Sequence, residues 1–309
     1  MSAAATGAVA AACVLEAAVA EPPTRLHPVA WFGRAVAPFD REWTRPLAVG
    51  ALVAVALPLA AAGVVAGLVL AAAAAGPLAA GAVAGLALFS ATSLRMLLGE
   101  ARAVVAATAD DLPAARERLQ SLAGRDLTDL SAGELRSAAV ESAAENLADG
   151  LVAPLLAFAV GALVSLPVAA GLAAWVKAVN TLDSMLGYRS KRVGTPSARL
   201  DDAVMWLPAR LSALLVAAAA RDPGALARAH DHAAAPPSPN SGWPMAMLAA
   251  VLNCRLAKPG VYDLPLGADF PTVAESQRGV GVVGVAGVLA YLLAGLAVSA
   301  ADSGVVAWF

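Results

Sequence analysis

Charge is what this 309-residue sequence has least of. Only 14% of its residues are Asp, Glu, Lys or Arg, against roughly 25% in an ordinary soluble domain. Hydrophobic residues make up 60% with glycine uncounted, more than one soluble core can hide. Intrinsic disorder needs the opposite balance and is excluded. Positive charge is not in excess either. The formal net charge of −2 gives no electrostatic basis for binding nucleic acid. Cysteine is scarce too. Cys13 and Cys254 cannot build a disulfide framework and lack metal-site spacing. What remains is an all-α fold, a polytopic membrane bundle forming a single integral membrane domain over residues 1–309.

The gaps in the charge locate the spans. A bilayer core about 30 Å thick takes ~20 apolar residues per helix. No charge falls between Arg45 and Arg95, a stretch of 49 residues that holds two spans. Gly76-Pro77 marks a turn between them, so spans are expected at about 47–72 and 78–97. Residues 279–301 form another, and 3–20 a first one interrupted only by Glu16. Ala18-Val19-Ala20 imitates a signal-peptidase site, but residues 1–15 contain no Lys or Arg. Without a basic n-region, the stretch reads as a retained span. Residues 203–220 are apolar but carry Arg210 and are too short for a firm span.

Residues 150–176 are uncharged over 27 positions, broken by Pro154 and Pro167. They read as a re-entrant helical hairpin rather than a full crossing. Broken helices are tolerated at membrane depth where they line a cavity. The basic residues favour this. All 21 Lys and Arg lie between Arg25 and Arg278, and a re-entrant 150–176 leaves the polar segments 21–45, 99–149 and 177–278 on one side. The positive-inside rule makes that side cytoplasmic.

The polar segments carry the chemistry. Ser131 with Glu134 is a capping-box pattern. The helix it opens holds Glu141, Glu145 and Asp149 at i, i+4, i+8, followed by the uncharged stretch. This is either a solvated amphipathic face or a carboxylate line suited to Mg²⁺, which takes a few carboxylates, water and substrate phosphates. Lys177-Ala-Val-Asn180-Thr181-Leu-Asp183-Ser184 places Asn180 and Asp183 on one helix face. Arg199-Leu-Asp201-Asp202 sets two carboxylates side by side. They are either solvent-facing or held near a cation that relieves their repulsion. Lys191, Arg192 and Arg199 are candidate phosphate partners. Arg210 lies in an apolar stretch, where an ionisable group usually faces an interior cavity. Pro236 to Pro244 form a rigid turn-rich loop in which Ser238 and Asn240 can meet a polar ligand.

Other motifs are missing or false. There is no P-loop and no H-E-x-x-H. Gly279-Val-Gly281-Val-Val-Gly284 matches G-x-G-x-x-G, but no strand precedes it. Close helix packing, continued by Ala286, Ala290 and Ala294, is the better reading. The histidines read as polar loop residues, with His27 the exception.

In order along nearly the whole chain, these blocks resemble the cobinamide-phosphate synthase (CobD/CbiB) membrane proteins of cobalamin biosynthesis. The resemblance rests on Arg25-Leu-His27-Pro28-Val29 with Gly33-Arg34, Gly124-Arg125-Asp126, and Glu141-Ser-Ala-Ala-Glu145-Asn146. It continues with Asp149-Gly150, Asn180-Thr181-Leu182-Asp183-Ser184-Met185, Ala198-Arg199-Leu200-Asp201-Asp202, Pro208-Ala209-Arg210 and Ser238-Pro239-Asn240-Ser241-Gly242. The family's usual aspartate and Gly-Asp-Pro near the end of the first span read Glu16 and Ala20-Glu21-Pro22 here. The spacer 221–235 is also atypical.

The resemblance implies an ATP-dependent acid–amine ligase. It would join adenosylcobyric acid, a corrinoid, to aminopropanol or aminopropanol O-phosphate, giving adenosylcobinamide or its phosphate. ATP and Mg²⁺ are the expected cofactors. Membrane lipid and other late cobalamin-pathway membrane enzymes are the expected surroundings. The catalytic residues expected are Glu141, Glu145, Asp183, Lys177 and Arg199, with Asp149, Asp201 and Asp202 at the metal. Substrate would meet His27, Asn146, Asn180, Thr181, Ser184, Lys191, Arg192, Arg210, Ser238 and Asn240. A transporter is disfavoured by the lack of matching halves, and a regulator by the intactness of the N-T-L-D-S-M and L-D-D blocks.

Overall fold

A computed structural model describes residues 2–120, 122, 127–188 and 190–302. The Gly124-Arg125-Asp126 block lies outside the described residues. The chain runs α1 (Ser2–Val19), α2 (Pro28–Val36), α3 (Pro46–Ala73), α4 (Pro77–Ala91), α5 (Arg95–Ala107), α6 (Leu112–Leu119) and α7 (Ala132–Leu147). It continues as α8 (Ala153–Ala162), α9 (Leu166–Leu186), α10 (Thr195–Val204), α11 (Trp206–Ala220), α12 (Ala225–His230) and α13 (Gly242–Leu252). Strands β1 (Arg255–Lys258) and β2 (Tyr262–Pro265) precede the long closing helix α14 (Val273–Asp302).

The protein is an all-α, multi-pass membrane protein. Among the described residues, four helical runs are long and apolar enough to cross a bilayer: Pro46–Ala73, Pro77–Ala107, Ala132–Ala162 and Val273–Ala300. The bent pair Arg192–Val204 and Trp206–Ala220 adds a fifth if it counts as one. The third run differs from the sequence expectation, which assigned 132–149 to a polar segment. A π-helical turn at Ala148–Val152 carries α7 on into α8, so the polar and apolar stretches share one helical path. Pro167 occupies the first turn of α9, where its missing N–H costs nothing, and Pro154 follows directly on the π-helical turn.

Two compact units make up the chain. The first comprises Met1–Ser93, Asp149–Met205 and Ala290–Phe309. Its long helix α3 exposes Leu52, Leu59, Leu68 and Leu70, an apolar surface suited to lipid. Inside the unit, small residues let backbones approach closely. Gly81 and Gly85 of α4 lie against Ala4 and Ala8 of α1. Gly161 of α8 meets the backbone of Val168 and Ala169, where a side chain would overlap. That contact closes the α8–α9 hairpin around a turn at 163–165. Val36, Val53, Ala54, Leu182 and Leu186 form a core that seats α2 against α3 and α9.

The second unit comprises Leu94–Ala148 and Trp206–Leu289. Leu135, Ala138 and Ala139 of α7 pack with Val104, Val105, Ala115 and Leu119. The capping box forms as expected: the Glu134 side chain accepts from the Ser131 N–H at 2.8 Å, and Ser131 Oγ accepts from the Glu134 N–H at 3.3 Å. Gly279 and Gly284 lie within α14, against Leu252 and Leu98, so the G-x-G-x-x-G match is helix packing. The strands form an antiparallel hairpin from Arg255↔Pro265 to Lys258↔Tyr262, which the sequence reading did not anticipate.

Candidate functional site

The first unit gathers most of the expected acidic site on three elements. The π-turn supplies Asp149. Helix α9 supplies Lys177, Asn180 and Asp183, one or two turns apart. Helix α10 supplies Asp201 and Asp202. A π-turn widens the helix by one residue and is frequent at functional sites. Here it also interrupts the α-helical spacing that the i, i+4, i+8 reading of Glu141, Glu145 and Asp149 assumed.

Asn180 is the hub. Its carboxamide hydrogen-bonds both Asp149 and Asp201. The charges of Asp149, Asp183 and Asp201 act on one another, with Asp202 acting on Asp183 and Asp201. Lys177 is the cation facing Asp149. Burial, reinforced by the charge of Asp202, pushes the Asp183 carboxyl up to about 6. Asp183 Oδ1 and Asp201 Oδ1 are buried with no hydrogen-bond partner. Two such atoms in one cluster are costly, because an unsatisfied buried polar group forfeits about 1–3 kcal/mol or more.

Glu21 extends the site, and the sequence reading did not assign it a role. Its carboxylate accepts hydrogen bonds from His27 and Ser93 and feels the Lys177 charge. Burial works to raise its carboxyl, but the His27 and Ser93 hydrogen bonds and the His27 and Lys177 charges outweigh it and hold it below the usual range. His27 caps α2, its Nδ1 accepting from the Val29 N–H at 3.3 Å. That leaves Nε2 for Glu21, 3.6 Å away. His27 therefore engages Glu21 directly. The signal was present in the Ala20-Glu21-Pro22 departure, which kept an acid at that place.

The neighbouring candidates sit on the same helices. Thr181 Oγ donates to Lys177 O at 2.7 Å and exposed Ser184 Oγ to Asn180 O at 2.9 Å. Lys191 Nζ donates to Asp40 Oδ2 at 2.8 Å and to Met185 O at 3.3 Å. Arg192 and Arg199 are exposed.

The second unit holds the other expected residues, in different surroundings. Glu141 is fully buried. It accepts from Ser137 Oγ at 2.5 Å and from Tyr262 Oη at 2.6 Å, while Ser137 Oγ accepts from the Ala257 N–H at 2.9 Å. These bonds tie α7 to the β-hairpin. Glu145 and Asn146 are half-buried on α7, and Asn146 Nδ2 donates to Ser142 O at 2.9 Å. Arg210 lies over the rings of Trp206 and Trp243, 4.1 and 4.8 Å from their centroids. It donates to the carboxamide oxygen of buried Asn240 at 3.2 Å. Ser238 Oγ accepts from the Asn240 N–H at 3.2 Å.

Among the described residues, no three His, Cys, Asp or Glu side chains enclose a metal ion by themselves. The all-oxygen donor set and the orphaned Asp201 Oδ1 still fit Mg²⁺. That ion characteristically takes one or two carboxylates and completes its shell with water and substrate phosphates.

An acidic cluster with a buried lysine, carried on a π-turn and two helices of a multi-pass helical protein, is what the fold offers as a site. The chain belongs to the CobD/Cbib protein family, which it matches over residues 9–299. It is 36% identical over 299 residues to the probable cobalamin biosynthesis protein CobD of Methanothrix thermoacetophila, covering 92% of this chain and 94% of the relative. It is 34% identical to the cobalamin biosynthesis protein CobD of Klebsiella pneumoniae, covering 88% of each chain. The protein of that name from Rhodobacter capsulatus is 38% identical, with 76% of this chain and 75% of the relative covered. No solved structure matches the chain significantly.

Proposed function

We propose that the protein is an ATP-dependent amide ligase of cobalamin biosynthesis. Its reaction joins a carboxylate of adenosylcobyric acid to the amine of aminopropanol or of aminopropanol O-phosphate. The relatives named for cobalamin biosynthesis support the pathway, and the ordered motif blocks support the reaction. The observation that carries the chemistry is the pair of buried, unpartnered oxygens on Asp183 and Asp201, in a cluster where Lys177 faces Asp149.

A carboxylate is a poor acyl donor at neutral pH. In the proposed reaction a substrate carboxylate oxygen attacks the γ-phosphorus of ATP and ADP leaves. The amine then attacks the acyl carbon, and inorganic phosphate leaves. Lys177 stabilises the charge on the acyl phosphate, a preorganised electrostatic role. Asp183, with its carboxyl near 6, takes the proton that the amine loses, as a base tuned towards neutral pH does. Asp201, with one of its neighbours Asp149 and Asp202, would hold Mg²⁺ alongside water and phosphate oxygens, and the ion would supply charge neutralisation to the phosphates. Asn180 fixes the two carboxylates it bonds. Arg192 and Arg199, both exposed, and Lys191 are the candidate phosphate partners.

The test is conversion of adenosylcobyric acid by purified protein with Mg²⁺ and ATP, both amines being offered separately. ATP-dependent appearance of adenosylcobinamide or its phosphate is expected. No product with either amine overturns the reading. We also place the polar segments on the cytoplasmic side, because every Lys and Arg falls between Arg25 and Arg278. Cysteines introduced at positions 120, 190 and 240 should then label from one side only.

A further inference from the structure

The segment that leads into α3 carries a surface the reaction does not use. Helix α2 turns Phe32 and Val36 inward, towards Val49, Val53 and Met185. Its opposite face presents Trp31, 49% exposed, and Arg34, also exposed, three residues apart and so neighbours on the helix. Leu26, beside exposed Arg25, is 65% exposed. Further on, the Arg41 guanidinium lies 4.1 Å from the Trp43 ring centroid. Exposed Arg45 comes immediately before Pro46, the first residue of the membrane-crossing α3.

The polar ends of both indoles are already satisfied within the segment. Trp31 Nε1 donates to Arg25 O at 3.0 Å and Trp43 Nε1 to Phe39 O at 3.1 Å. What each ring has left to offer is apolar area. Of the segment's two acids after Glu21, Asp40 is held by Lys191 at 2.8 Å and Glu42 is exposed. Arg25, Arg34, Arg41 and Arg45 against Asp40 and Glu42 leave a local excess of two positive charges.

We infer that residues 25–45 form an interfacial binding surface for anionic phospholipid headgroups. Three independent features converge on that occupant. The segment is continuous with a membrane-crossing helix, so it lies at headgroup depth. The exposed Trp31 indole, on the segment that leads into a span, is suited to that depth. The arginine excess is complementary to anionic lipid, whose attraction for basic groups falls off within a Debye length of the surface. Glu21 and His27 belong to the same stretch of chain, so anchoring it to lipid also steadies one side of the acidic centre.

The experiment uses the full-length protein in nanodiscs of mixed phosphatidylcholine and phosphatidylglycerol, released into native mass spectrometry. It requires no ligase activity, so it stands apart from the proposed reaction. Selective retention of phosphatidylglycerol is expected. Retention should fall roughly fivefold for each of Arg34→Gln and Arg41→Gln, and less in Arg34→Lys with Arg41→Lys, which keeps the charge. Thermal stability measured alongside separates loss of binding from loss of fold. Equal retention of both lipids by the unaltered protein overturns the inference. So does unchanged retention in the folded Gln variants, or displacement of the lipid by ATP, which would make the patch a nucleotide site.

Discussion

Each unit of this protein buries carboxylates, and they are buried in different ways. Glu141 in the second unit has both oxygens engaged, by Ser137 and Tyr262. Asp183 and Asp201 in the first unit each keep one buried oxygen with no partner. A fully satisfied buried network rigidifies a core, whereas a partly satisfied one is costly. The first arrangement is what a structural tie requires. The second makes sense when something arriving from outside completes it. What separates the two cases chemically is whether each buried oxygen has a partner.

The comparison breaks most sharply under mutation. Asp183→Asn should lower ligase turnover by about 100-fold or more while leaving thermal stability unchanged or raised, because it removes one of several mutually repelling charges. Glu141→Ala should do the reverse in kind. It removes the carboxylate to which the Tyr262 and Ser137 hydroxyls donate, and should cost about 3 kcal/mol or more of stability, read by denaturation in detergent. Tyr262→Phe removes one donor from the same carboxylate and should cost about 1–3 kcal/mol.

Smaller effects sharpen the same contrast through pH. Asp183 is raised in the fold to about 6 from an ordinary 3.8. The folded state therefore holds this proton more tightly than the unfolded chain. Its ionisation costs stability above about pH 6, and that cost is relieved as pH falls from 6 towards 4. A thermal-shift series on the ligand-free protein should show this relief, and Asp183→Asn should lose it. Turnover should move oppositely, rising with pH through about 6 as the base ionises. At the small end, Lys191→Ala removes an ion pair to Asp40 whose partners are both substantially exposed. It should change stability by under about 1 kcal/mol.

Much of the scaffold was readable from residue type because the bilayer imposes so few solutions. The charge-free stretch before Arg95 becomes α3 and α4 with Gly76 at φ 114 between them, a conformation glycine adopts freely. Asn180 and Asp183 share a face because three residues on a helix always nearly do. Residues close in sequence on regular helices were thus legible. The line through Glu141, Glu145 and Asp149 was not, because a π-turn breaks the spacing it relied on. Glu21 was missed as a site residue because its neighbours Ser93 and Lys177 lie 72 and 156 positions away. The hydrogen bond between Glu141 and Tyr262 was not legible, because Tyr262 sits in a hairpin 121 positions away.

The most direct measurement compares ATP-dependent formation of adenosylcobinamide, or its phosphate, by Asp183→Asn and Tyr262→Phe in detergent, each scored for thermal stability. The account predicts a stable, inactive Asp183→Asn and a less stable Tyr262→Phe that retains turnover below its melting point. A fully active Asp183→Asn would contradict it, because the unpartnered carboxylates would then have no part in the chemistry.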